Sequence, residues 1–189
     1  MISITLPDES KKELPEDSNG YDLAEMIGPG LAKNAIAITI DGVQKDLGDT
    51  LKNNNIASII TIDSDEGLEI MRHTLTAQVL ASAIKNLYPK CKLAIGPTID
   101  NGFYYDVLSE QPISTEDLIS IDKEMQLIIQ KKSKLNKSLH NKTEAINVFK
   151  NLDEHYKIKI IEDSEQDEDF QIYTNQDSNF IDLCIGPHL

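Results

Sequence analysis

Residues 56–87, IASIITIDSDEGLEIMRHTLTAQVLASAIKNL, hold the change of pattern that decides the fold. Residues 56–62 are rich in β-branched apolar side chains and read as a strand buried on both faces. Asp63-Ser64-Asp65-Glu66-Gly67 is polar, and a domain boundary is placed there. Residues 68–87 contain no Gly or Pro and read as one long helix, which Pro89 ends. The chain therefore divides into two α+β units, residues 1–62 and 63–189.

Upstream of this stretch, Ile2, Ile4 and Leu6 alternate with polar Ser3 and Thr5, the period of a half-buried strand. Pro7-Asp8 ends it. A short helix is expected over residues 21–27, with Asp22 favouring its first turn and Gly28-Pro29-Gly30 stopping it. Residues 34–40 are β-rich, and Asp41-Gly42 is a hairpin turn. Short strands around one helix indicate a β-grasp-like first unit.

Downstream, residues 94–107, AIGPTIDNGFYYDV, read as strand, tight loop and strand. Ser114 and Thr115 are N-cap candidates for a helix carrying Leu118, Ile121, Met125, Ile128 and Ile129 on one face. A shorter helix is expected over residues 143–152. Residues 156–161, 170–174 and 180–184 read as strands, and the acidic residues 162–169 as a solvated loop. The second unit is expected to lay helices on an antiparallel sheet.

The chain has 189 residues, 40 % of them apolar, enough for two small cores. It has no run of about 18 apolar residues, and MISITLPDES lacks the order of a signal peptide, so a cytoplasmic protein with no membrane partner is expected. Cys91 and Cys184 are too few for a disulfide framework and are expected as free thiols. The net charge of −14 argues against tight RNA binding by this chain alone.

Cys184-Ile185-Gly186-Pro187-His188 places a thiol and an imidazole four residues apart, able to converge on one atom. His73 lies out of phase with the apolar stripe of its helix: Met71 and Leu75 are each about 200° away. It faces solvent or a cleft. Asp182 should share a strand face with Cys184. Lys157, read at the start of a strand, could bind phosphate or shift a neighbouring pKa. His140 and His155 read as surface residues.

Taken in order, ITLPD at 4–8, DLAEMIGPGLAKNAIA at 22–37, DEGLEIMRH at 65–73, LAIGPTIDNGFYYDV at 93–107, YKIKIIED at 156–163 and DLCIGPH at 182–188 resemble bacterial threonyl-tRNA synthetases. The resemblance spans the chain. It implies a TGS domain over residues 1–62 and an editing domain over 63–189, related to alanyl-tRNA synthetase editing modules. Editing hydrolyses serine from threonine tRNA, because one missing methyl group alters pocket binding by only about 1–3 kcal/mol. The resemblance implies a catalytic core after residue 189, with ATP, Mg and Zn sites and most of a homodimer interface. This chain should then neither activate threonine nor bind ATP. Its expected partners are the acceptor end of threonine tRNA and that core.

The family's editing helix carries HxxxH facing CxxxH, and here the second histidine is missing. One register puts Ala77 in its place. The other makes the segment one residue longer, with Thr74 and Gln78 in the two places. His73 and Gln78 lie about 140° apart on an α-helix. A π-bulge would absorb the extra residue and bring both to the cleft, the arrangement expected here. Ile185 stands where the family commonly has arginine. The resemblance implies His73, Lys157, Asp182, Cys184 and His188 as catalytic, Gln78 and Tyr105 as substrate-binding, and no metal. A tRNA-positioning module with a decayed site is the competing reading; a free-standing TGS regulator is a third.

Overall fold

The computed structural model describes residues 1–166 and 168–189; Asp167, inside the acidic stretch, lies outside the described residues. In chain order the elements are β1 (Ile2–Thr5), β2 (Lys11–Leu14), α1 (Gly20–Ile27), α2 (Pro29–Asn34), β3 (Ala35–Ile40), β4 (Val43–Asp46), β5 (Ala57–Thr61) and α3 (Asp65–Thr74). A π-helical segment (Leu75–Leu80), α4 (Ala81–Leu87), β6 (Lys92–Leu93), β7 (Thr98–Ile99), β8 (Gly102–Phe103) and β9 (Val107–Leu108) follow. Then come α5 (Asp117–Lys131), β10 (Leu135–His140), α6 (Lys142–Asn151), α7 (His155–Asp163), β11 (Phe170–Asn175) and β12 (Ile181–Leu183). They form two compact units, Met1–Met71 with Gly186–Leu189, and Arg72–Ile185.

The first unit is β-grasp-like. β1 pairs antiparallel with β2, and β3 with both β4 and β5. A parallel bridge between Thr5 and Ile56 sets β1 beside β5. The expected turn joins β3 to β4, with positive φ at Asp41 (50°) and Gly42 (84°), the signature of a type I′ hairpin. Asn19 caps α1, and Asp22, in the first turn as expected, completes a reciprocal capping box with it. Gly28 ends α1, but Pro29 at once opens α2, because a proline fits the first helical turn. The core gathers the inward residues of the strands, Ile4, Leu14 and Ile38, around Leu23 and Leu51. β5 is not buried on both faces along residues 56–62. Ala57 and Ile60 are, whereas Ile56 and Ile62 are exposed at its ends.

In the second unit β10, β11 and β12 form an antiparallel sheet in that order. α6 and α7 cover it through Phe149, Ile161, Phe170 and Ile172. β7 and β8 form a tight hairpin inside the β6–β9 pair. Ser114 and Asp117 bond reciprocally at the start of α5, the Asp117 carboxylate accepting from Ser114 N at 2.7 Å. The buried face of that helix is narrower than expected: Ile121 and Ile128 are buried, Leu118 and Ile129 exposed.

Two expectations fail here. Residues 156–161 are helical, not a strand. Lys157 and Ile161 are buried four residues apart and Ile158 packs on the same cluster, so tertiary burial at a helical period overrides β-branched propensity. The sheet's third strand is instead β10, whose polar sequence LNKSLH gave no apolar alternation; it runs antiparallel to β11 from Leu135–Asn175 to His140–Phe170.

Candidate active site

The local cause of the π-segment is visible in its bonding. Ala81 N donates back to Thr76 O, five residues away. The Thr76 hydroxyl donates to Arg72 O at 2.7 Å, satisfying a carbonyl that a wider turn would leave short of a donor. His73 sits just before this segment, in the last turn of α3.

Four elements then converge. His73 comes from α3, Lys157 from the first turn of α7, Asp182 from the centre of β12, and Cys184 from just beyond it. His73 Nε2 and Cys184 Sγ are 3.0 Å apart; the imidazole tautomer decides which donates. Lys157 Nζ donates to Asp182 Oδ1 at 2.8 Å, and the two side chains are only 6 % and 3 % exposed. Those values make the pair an interior one. Removing either partner would strand a charge, so the pair must be satisfied within the site. Burial pushes the Asp182 carboxyl above the usual carboxylate range, against the opposing pull of Lys157.

All four side chains line one cavity of about 430 Å³, together with Tyr105. Ile95, Pro97, Ile160, Phe170 and Leu183 give it apolar walls, and Gln166, Glu168 and Asp169 lie along it. Burial raises the Tyr105 phenol far above its ordinary value, and Asp182 and Cys184 add to the shift. Tyr105 is thus held as a neutral hydroxyl. Its ring rests on Gly96: a Cβ there would lie 2.6 Å from Tyr105 Cε2 and 2.8 Å from Thr76 Cγ2. The backbone of Gly96 leaves the space the ring occupies.

Gln78 is buried at 2 % exposure but is not among the cavity-lining residues, whereas Ala77 is. The expectation that Gln78 reaches the cleft therefore meets a different geometry. His73 precedes the five-residue bonds, so the four-residue step to Ala77 returns to the cavity wall. His188 groups with the first unit, where it is buried and its backbone N–H donates to Asp46 Oδ1 at 2.8 Å. The Gly186–Pro187 peptide before it is cis. His155 is exposed, as expected, and His140 is half-buried, its Nε2 2.9 Å from the Ser138 hydroxyl. Cys91 is buried and burial raises its thiol pKa, which makes it a packing residue rather than a nucleophile.

Sequence reasoning gave Ala77 only as one of two registers, and it missed Gly96 and a second, partly buried pair near Lys157. Lys85 Nζ and Glu154 Oε1 are 2.6 Å apart. Ala77 and Gly96 carry no polar group, and only their placement identifies them.

Chemically, the cavity combines a buried ammonium, an imidazole touching a thiol, a neutral phenol and apolar walls. An imidazole can take a proton from water; an ammonium in a low-dielectric site can stabilise a developing oxyanion. That set suits attack of water on an acyl carbon.

Comparison with known proteins agrees with this architecture. Residues 2–61 match the TGS domain family. All 189 residues align with threonine–tRNA ligase of Ralstonia nicotianae at 40 % identity, covering 29 % of that protein. Over 189 residues the chain is 45 % identical to threonine–tRNA ligase of Francisella tularensis subsp. holarctica, again covering 29 % of it. Over 190 aligned positions it is 40 % identical to threonine–tRNA ligase of Stenotrophomonas maltophilia, covering 30 %. The similarity is to the N-terminal region of these ligases. The chain spans less than a third of the length of the relatives it matches. No helix among the described residues is long and apolar enough to cross a membrane.

Proposed function

We infer that this chain serves as the N-terminal part of a threonine–tRNA ligase and that its second unit hydrolyses serine from wrongly charged threonine tRNA. One observation carries the reading: two polar pairs, His73–Cys184 and Lys157–Asp182, face the same largely apolar cavity of about 430 Å³. Serine and threonine differ by one methyl group, too little for a single pocket to separate well, so a second hydrolytic site has a clear use.

In this reading the seryl ester at the tRNA end enters the cavity. His73 orients a water and takes its proton as the oxygen bonds to the ester carbon. Lys157 stabilises the oxyanion, and Asp182 fixes the ammonium in place. The ester C–O bond then breaks, and the proton passes from the imidazole to the ribose oxygen. Serine and tRNA with a free hydroxyl leave. Tyr105 donates from the wall, and Cys184 holds His73 in orientation. His188 is proposed as catalytic on the resemblance alone, and Gln78, which does not line the cavity, is given no substrate contact. The reading needs no metal, because Lys157 already supplies the positive charge. ATP, Mg and Zn would belong to the catalytic core of the ligase, as would most contacts of a homodimer.

The test joins the chain to its catalytic core and measures deacylation of seryl-tRNA(Thr). Hydrolysis well above the buffer rate, abolished by K157A, is expected; a rate equal to buffer sinks the reading. One observation favours the competing role, tRNA positioning with a decayed site: Ala77 faces the cavity and offers no polar group. That alternative predicts the buffer rate with threonine charging intact.

A further inference from the structure

Resting on the hydrolytic reading of the cavity, we propose that Glu154, clamped by Lys85, is a positioning residue that fixes the Lys157 ammonium in the cavity. Glu154 caps α7, three residues before Lys157, yet its side chain does not serve the helix end. Instead it reaches away: Oε1 accepts from Lys85 Nζ at 2.6 Å, and Oε2 from the backbone N–H of Leu93 at 3.3 Å. Lys85 also donates to Cys91 O at 2.9 Å. The neighbouring Asp153 is held in the same way, its carbonyl accepting from Lys92 Nζ at 2.6 Å. The turn between α6 and α7 is thus tied to α4 and β6 at two consecutive residues.

This anchorage has no evident purpose for α7 alone. The helix already packs through Ile158 and Ile161. A buried carboxylate is a costly way to fasten a helix that apolar contacts fasten well, since its desolvation must be offset by its partners. What the clamp sets is the first turn of α7, and Lys157 lies on it. A smaller cavity of about 160 Å³ supports the argument. Lys85, Glu154, Lys157 and Asp182 all line it, and Lys157 and Asp182 line the larger cavity too. The Lys157–Asp182 pair therefore stands between two spaces, with open volume behind it into which the ammonium could retreat. Glu154 and Lys85 occupy that rear side. They leave Lys157 facing Asp182 and the larger cavity. A shift of about 1 Å in a stabilising group can lower a rate on the order of 100-fold.

The experiment uses the ligase with its core intact and compares wild type, E154A, E154Q and K85M. Two readouts are taken: single-turnover deacylation of seryl-tRNA(Thr), and the 15N-ammonium resonance of Lys157 in the free protein. E154A is expected to lower the maximal rate at least tenfold with half-saturation unchanged, and to move the Lys157 resonance. E154Q, whose single amide oxygen can accept from Lys85 while its NH2 no longer accepts from Leu93, is expected to restore part of the rate. K85M should resemble E154A more weakly. Threonine charging monitors folding of the whole, and thermal melting monitors the variants. A folded E154A with wild-type rate and an unmoved Lys157 resonance overturns the proposal. So does a loss of rate that E154Q fails to restore while the resonance stays in place. If wild type itself does not deacylate, the hydrolytic reading fails, and the resonance still decides whether Glu154 positions Lys157.

Discussion

At the scale of single residues, the Lys157–Asp182 pair makes the sharpest stability prediction. Both side chains are almost wholly buried. D182A strands the ammonium and should destabilise the unit by about 3–5 kcal/mol, whereas the double variant K157M/D182L should come close to wild-type stability with no hydrolysis. Urea unfolding of both variants separates a structural from a catalytic role for the pair. The pH dependence has a definite sign. The folded Asp182 carboxyl titrates above the ordinary value of 3.8. The folded state thus binds more protons between the two values, so this residue makes stability fall as pH rises through that window. D182N/K157M should lose that component in melts recorded between pH 3.5 and pH values above the folded pKa. Gly96 gives a packing prediction. Its Cβ would press on Tyr105 and Thr76, so G96A should cost about 1–3 kcal/mol and slow deacylation by moving the phenol. A thermal melt and a rate measurement check both halves. Of these residues, Lys157 and Asp182 were legible as polar residues beside suggestive neighbours, but not as a pair. The sequence separation between them is bridged only by the packing of α7 on the sheet. Gly96 was invisible as a site residue, because what matters there is the side chain it lacks.

At the scale of elements, the long helix and its interruption were legible for different reasons. The helix followed from a stretch free of Gly and Pro. The π-segment followed from the resemblance, in one register of which the stretch after His73 is one residue longer than the family's helix. Its consequence was misjudged, because the wider turn begins after His73 and delivers Ala77, not Gln78, to the cavity. The helical residues 156–161 were misread because tyrosine, isoleucine and lysine in alternation satisfy both periods, and only the burial of Lys157 and Ile161 chooses. An insertion absorbed in a π-turn can be removed without turning the flanking faces. Deleting Leu75 should therefore leave the melting temperature within about 5 °C of wild type, a shift worth only a kcal/mol or two for a domain of this size. Deleting Glu69 instead rotates the residues before the π-segment by about 100° and drags Ile70 out of its contact with Ala37 and Ile60. That variant should lose about 2–5 kcal/mol. Equal melting of the two deletions would mean that the π-segment is not where the extra residue is stored.

At the scale of the whole molecule, charge sets what the chain can do alone. The β-grasp-like unit was legible because its strands alternate cleanly and its turns carry Asp-Gly and Gly-Pro. Nothing comparable marks an RNA surface. Eighteen basic residues face 32 acidic ones, and some of the basic side chains are already paired with carboxylates: Lys157 with Asp182 in the interior, Lys85 with Glu154 and Lys92 with Asp153 nearer the surface. Glu168 and Asp169 lie along the cavity itself, where an incoming phosphate would meet them. Each phosphate neutralised by a protein cation contributes about 0.7–0.9 to the slope of log affinity against log salt. A chain with a net charge of −14 should show a slope near that of one contact, and weak binding even at low salt. Under the proposed function, recognition of tRNA then falls to the rest of the ligase, with this chain receiving an end that is already held. Filter binding of threonine tRNA to the isolated chain, at salt from about 20 to 200 mM, checks this. Binding tighter than the roughly 10⁻⁴–10⁻⁶ M typical of non-specific contacts, with a steep salt slope, would place a real RNA surface on these 189 residues and contradict the argument from charge.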